Sequence, residues 1–204
     1  MQLALQAQAD QRSAEILLSV RRAFVEKGFD GASMQDLARA AGMSVGNFYR
    51  YFPSKSAIIQ GLITHDLADM QRDFAAILMS STPLQSLRLL IHQRIHDDHK
   101  HGDDELWTEI QAAARRSPEI GAAAHQMESA VIGCLLAVFA AETGLAQNVA
   151  ADRFLATAGF ILVLFKAAAC LGCARELDQT NIKTMILRTI DQTLDDVALT
   201  PRKA

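Results

Sequence analysis

The stretch Ser33–Lys55, SMQDLARAAGMSVGNFYRYFPSK, constrains this 204-residue chain more tightly than any other. Ser33 is a good helix N-cap, and Asp36 stands three residues on, as a capping box requires. Leu37, Ala38 and Ala41 follow at helical spacing. Gly42 closes the helix, because glycine enters the left-handed C-terminal turn at little cost. Ser44 caps a second helix, with Met43 and Phe48 at hydrophobic-staple spacing and Phe52 extending the apolar stripe. Pro53 ends that helix, and Ser54 caps a longer one that starts at Lys55. Two short helices, a tight turn and the start of a third make a helix-turn-helix.

With Phe48 and Phe52 turned inward, Ser44, Val45, Gly46, Asn47 and Arg50 remain at or near the outer face. A helix of this kind fits a DNA major groove. Asn47 can pair bidentately with adenine, Arg50 can reach a guanine or a phosphate, and Val45 can touch a thymine methyl. Gly46 carries no side chain, so backbone can approach DNA closely. Tyr49 and Lys55 are placed as phosphate donors beside the groove, and Ser33 is counted with the DNA-binding set. A helix-turn-helix serving only as a packing unit leaves the outward polar residues unexplained.

The run Met43–Lys55 resembles the recognition-helix signature of the tetracycline-repressor (TetR) family, with its glycine at 46, tyrosine at 49, phenylalanine at 52 and lysine at 55. The resemblance reaches back to Ala14. It departs at Val45, where members often carry lysine, and at Asn47, where threonine is common. Both departures bear on which operator is read. The resemblance implies an all-α chain: a three-helix DNA-binding domain over residues 1–55, then a helical ligand-binding and dimerisation domain over 56–204, with about nine periodic helical segments in all. Its implied partners are a double-stranded DNA operator, a small-molecule effector and a second copy of the chain.

Composition agrees with helix: 50% of residues are hydrophobic and only four are proline. The net charge of −3 does not by itself suggest nucleic acid. Its distribution is more informative, because residues 1–60 hold seven Lys/Arg against five Asp/Glu and the remainder thirteen against eighteen. Three cysteines (134, 170 and 173) and no secretory signal point to a reducing cytoplasm. The most apolar run, Phe154–Phe165, is shorter than the about 20 residues needed to span a bilayer, so a buried helix and no membrane contact are expected.

Taken in order, residues 1–10 read as a tail or helix extension, and a first helix runs from Arg12 to Lys27. Its inward face is Ile16, Leu17, Val20, Ala23 and Phe24, with Arg21 and Arg22 toward solvent and Gly28 as the stop. The helix from Lys55 reaches Met79 and links the reading head to the second domain. Leu84–His99 comes next, followed by Asp103–Arg116 and then Ser117–Thr143, which ends at Gly144. Asn148 caps a helix running to Cys173 that is apolar nearly all round and must be buried on every face. Part of it is therefore expected to meet a partner chain. Together with helix 181–198 it would form a four-helix dimer seam, which a charge at Ile161 or Ile190 should break; a single larger monomeric core is the alternative.

Trp107, Ile110, Met127, Val131, Cys134, Phe160 and Leu164 are candidate lining for an apolar effector, with Gln111 as an anchor; each is equally readable as core. His92 and His96 share a helix face at metal-ligand spacing, with His99, His101, Asp97 and Asp98 close by. A solvated helix end, with histidines favouring its dipole, is the simpler reading, and no bound metal is expected. Cys170 and Cys173 read as small hydrophobes. No nucleophile elbow, P-loop or paired-carboxylate constellation stands out, so neither a catalytic residue nor a cofactor is expected. The expected function is a ligand-responsive DNA-binding regulator, most simply a repressor released from a palindromic operator by a largely apolar effector. The alternative is an all-helical metal-binding protein or enzyme using His92 and His96.

Overall fold

The computed structural model describes residues 2–96, 103–171, 176 and 178–200, with side chains over 12–96, 106–171, 176 and 178–200. Among these there are nine α-helices and no strand: α1 Gln2–Gly31, α2 Met34–Ala40, α3 Val45–Tyr51, α4 Lys55–Leu78, α5 Pro83–His96, α6 Asp103–Ala114, α7 Pro118–Thr143, α8 Gln147–Cys170 and α9 Gln179–Ala198. By packing, the chain groups into one compact unit of residues 1–66 and 100–125 and another of 67–99 and 126–204. The first therefore takes in α6 as well as the helix-turn-helix, and α4 supplies residues to both.

The first unit is built on α1. Ile16, Leu17, Val20 and Phe24 are buried, as their spacing requires, together with Leu37, Ala38, Phe48, Phe52, Ile58, Ile59 and Leu62. Arg21 corrects the sequence reading: it is 7% exposed and pairs with Asp66 of α4. It follows Val20 and precedes Phe24 by one turn, so its position lies on the inward face whatever its charge. A buried guanidinium requires such a partner. Arg22 is exposed and pairs with Glu26. The helix begins at Gln2, so the leading residues are an extension of it, and its regular course breaks at Gly28 (φ 70, ψ 167).

The α2 boundaries follow from the sequence. The Ser33 hydroxyl accepts from the Asp36 N–H at 3.1 Å, and the Asp36 carboxylate accepts from the Ser33 N–H at 3.0 Å. At the other end Gly42 has φ 64, Gly42 N–H reaches Arg39 O and Met43 N–H reaches Ala38 O at 2.9 Å, a Schellman turn. The Lys27 ammonium 2.6 Å from Asp36, then the Ser33 hydroxyl and N–H, hold the Asp36 carboxyl well below the usual carboxylate range. A depressed folded pKa means stability that is present above the unfolded value of about 4 and lost as pH falls toward the folded one. The melting temperature of wild type is therefore expected to exceed that of Asp36→Asn at pH 7, and the gap to close below about pH 4. A gap of equal size at pH 7 and pH 3 would contradict this.

The second unit packs Leu84, Leu87, Ile91 and Ile95 of α5 against Leu135, Val138 and Phe139 of α7, Phe154 and Ile161 of α8, and Ile186, Ile190 and Leu194 of α9. Three expectations change here. The α8 cap is Ala146 with no side-chain bond, and Asn148 lies inside the helix. Ile161 is 2% exposed and Ile190 fully buried, so a charge at either strikes this core before any seam. And α7 and α8 are each long and apolar enough to cross a bilayer by length and composition, although core helices of helical domains meet the same test. The shorter run Phe154–Phe165 understated α8. Its outer side carries Leu155 (56% exposed), Phe160 (46%) and Val163 (61%).

Candidate nucleic-acid interface

The Ser44 hydroxyl accepts from the Asn47 N–H, and Phe48 and Phe52 are buried with ring centroids 5.9 Å apart. That anchoring leaves Ser44, Val45, Gly46, Asn47, Tyr49 and Arg50 exposed. Tyr51, absent from the expected set, is exposed too, and i,i+4 spacing from Asn47 places it on the same face. The side chains along this face are polar or aromatic, with one valine. A Cβ built on Gly46 meets nothing within 4 Å, so no packing inside the chain requires glycine there. The backbone there is open to close approach from outside.

Two of the expected DNA-binding residues have work within the chain. The Ser33 hydroxyl also donates to the Asp36 carboxylate. Lys55 donates to Phe29 O at 2.8 Å and Asp30 O at 3.2 Å, and its ammonium sits 5.0 Å from the Phe29 ring centroid. It thus closes the C-terminal end of α1 with a cation, where helix carbonyls favour one. An ammonium has three donors, so a phosphate remains within its capacity. Lys55→Ala removes the tie to α1 as well as a charge.

Of the candidate effector residues, Trp107, Ile110 and Gln111 lie on α6 in the first unit, with Ile110 in the core and the other two half-buried. Met127, Val131 and Cys134 line one side of α7 in the second unit, half-buried, and burial pushes the Cys134 thiol pKa up. On α8, Leu164 is half-buried and packs on the core, whereas Phe160 faces outward. His92 Nε2 lies 3.0 Å from both carboxylate oxygens of Asp191 on α9, and Arg88 pairs with Asp191 and Asp195. His92 therefore has a structural role between α5 and α9. Its ring is 6.1 Å from that of His96, and among the described residues no three His, Cys, Asp or Glu side chains gather as metal ligands. His99, His101, Asp97, Asp98 and Cys173 lie outside the described residues.

Residues 16–62, the span from the buried face of α1 into α4, match the family described as bacterial regulatory proteins, tetR family. Over this span the chain carries that family's sequence pattern. Among curated relatives, the HTH-type transcriptional regulator UidR of Escherichia coli K12 is 30% identical over 122 residues, 58% of this chain and 59% of the relative. The regulator EthR of Mycolicibacterium smegmatis is 40% identical over 81 residues, 39% and 37% of the two chains. The chain thus spans about three fifths or less of the length of the curated relatives it matches. Among solved structures, Salmonella enterica GusR superposes with a TM-score of 0.65 at 24% identity, covering 91% of this chain and 96% of that one. A TetR regulator from Haloarcula marismortui gives 0.72 at 17%, covering 91% and 97%. These likenesses establish the fold: an N-terminal helix-turn-helix followed by a helical domain.

The exposed face of α3 carries a direct test. Asn47→Ala is expected to relax base preference at one operator position and to weaken binding by about 1–3 kcal/mol, the range for a lost bidentate base contact. Selection from a random duplex library, run for both proteins, reads this out. Identical base preference at every position would remove Asn47 from readout.

Proposed function

We propose that this TetR-family regulator is a repressor that binds a palindromic DNA operator as a homodimer through α3 and is released by a small, largely apolar effector. The observation that carries the DNA reading is the α3 face itself, with Phe48 buried, Asn47 and Arg50 exposed, and open space at Gly46. Leu155, Phe160 and Val163, apolar and exposed along α8, support a second copy as the cover for that face. Half-buried Met127, Val131 and Cys134, along one side of α7, support effector binding within the second unit. α4 supplies a covalent path, beginning at Lys55 in the first unit and ending at Leu78 in the second. A cytoplasmic location follows from a DNA partner.

The effector needs only to prefer the subunit geometry that misfits the operator. Coupling is reciprocal, so operator must weaken effector binding by the same factor. A thermal-shift screen of hydrophobic small molecules and fatty-acyl compounds tests this, because a native-state ligand raises the melting temperature. A stabilising compound is then titrated with and without operator duplex. Lower affinity in the presence of duplex supports release; equal affinity shows that the compound is not an effector.

A further inference from the structure

The tripeptide Gly28-Phe29-Asp30, between the regular part of α1 and α2, is gripped by charged side chains from three directions. The Phe29 N–H donates to Glu109 Oε2 of α6 at 2.8 Å, and its carbonyl accepts from Lys55 of α4 at 2.8 Å. The Asp30 carbonyl takes a second proton of Lys55, and the Asp30 carboxylate accepts from Arg116, just after α6, at 2.9 Å. Phe29 also stacks on Phe24, which is fully buried.

Glu109 is an odd residue for its position. Leu106, Ile110 and Ala113 form the buried stripe of α6, and helical spacing puts Glu109 beside it, between Leu106 and Ala113. The backbone it meets is shaped to receive it. Gly28 is at φ +70, and a Cβ there would lie 3.2 Å from Glu109 Oε2 and 3.6 Å from its Cδ. A side chain at 28 would therefore press on the carboxylate, and it would need a backbone conformation that other residues rarely adopt. α6 and the helix-turn-helix belong to one compact unit, so this contact is internal to it.

We propose that Glu109 is a positioning residue for DNA reading: by holding the Phe29 N–H it fixes where α1 ends, and hence where α2 and α3 are presented. The chain path supports this. Only Gly31, Ala32 and Ser33 separate the gripped tripeptide from α2, and Ala32 N–H is bonded back to Gly28 O at 3.1 Å. A shift at Phe29 is delivered to the Ser33 cap with little slack. The proposal rests on the DNA-binding reading above.

The test compares wild type with Glu109→Met, which keeps length and loses the acceptor, and Glu109→Gln, whose amide oxygen still accepts. Amide exchange is followed on the DNA-free full chain, and affinity is measured for a duplex that wild type selects from a random library. In Glu109→Met, exchange is expected to rise at Phe29 and across residues 34–51, and affinity to fall about tenfold, as for loss of a hydrogen bond to a charged group. The salt slope should stay unchanged, since no phosphate contact is removed. Glu109→Gln should recover most of both. A rise confined to Phe29, or unchanged affinity in folded Glu109→Met, would overturn the proposal. If Glu109→Met does not fold, Glu109→Asp, one methylene shorter and so out of reach of the Phe29 N–H, takes its place, with exchange over 34–51 rising together with Phe29 in support, and a rise at Phe29 alone or no rise against. If wild type selects no duplex, the DNA reading falls, and the exchange comparison still decides whether Glu109 positions α2 and α3.

Discussion

Val163→Asp is expected to give monomers and to lose operator binding while the helix-turn-helix stays folded. Val163 is 61% exposed on α8, with Leu155 and Phe160 exposed along the same helix. A single exposed apolar side chain needs no explanation, but a row of them on one helix needs a cover. A carboxylate at the centre of that cover must be desolvated without a partner, which two associated helices do not tolerate. In the free subunit the same change merely places a charge in water, so stability should move by no more than about 0.5 kcal/mol. The functional loss comes from geometry. Two recognition helices must fall about 34–36 Å apart to enter successive major grooves, and a lone head has only its half-site affinity. Uncoupling two linked sites forfeits roughly 10²–10⁴ in avidity. Sedimentation and operator titration read the two effects. A dimeric Val163→Asp would move the seam elsewhere. Ile161→Asp is the contrasting control: with Ile161 2% exposed in the core of the second unit, it should unfold that unit outright.

Phe48→Ala should unfold the reading head. Phe48 is fully buried at the centre of α3 and contacts Phe52 at a centroid distance of 5.9 Å. Truncating a buried phenylalanine costs about 3–5 kcal/mol in transfer and cavity terms. α3 has only seven residues and is too short to persist without tertiary packing. The expected result is loss of amide protection over residues 34–51 together with all DNA binding. Tyr49→Ala, on the exposed side, should leave protection intact and weaken DNA alone. Equal protection in wild type and Phe48→Ala would mean that α3 is not held by this contact.

The local grammar of the head was legible in the sequence. Ser33 with Asp36, Gly42 and Ser44 each act within a few residues of themselves, and each bounds a helix as its chemistry dictates. The inward set Ile16, Leu17, Val20 and Phe24 was equally legible, because period alone places it. What escaped is of two kinds. Residue type alone sends Arg21 to solvent, whereas its burial is supported by Asp66, 45 residues away. Lys55, His92 and Glu109 have partners 26, 99 and 80 residues away, and no local pattern announces such pairs. The α8 reading shows the same limit: apolar composition all round implied burial, but only packing separates Ile161, inside its own core, from Val163 on the outside.

In the proposed function α3 reads DNA as one of a pair. Selection of bound duplexes from a random library, repeated at several salt concentrations, tests it most directly. The expected result is enrichment of an inverted repeat with half-site centres about one helical turn apart, bound with an affinity that falls steeply as salt rises. Recovery of no preferred sequence, or of a single half-site bound as tightly as the repeat, would contradict it.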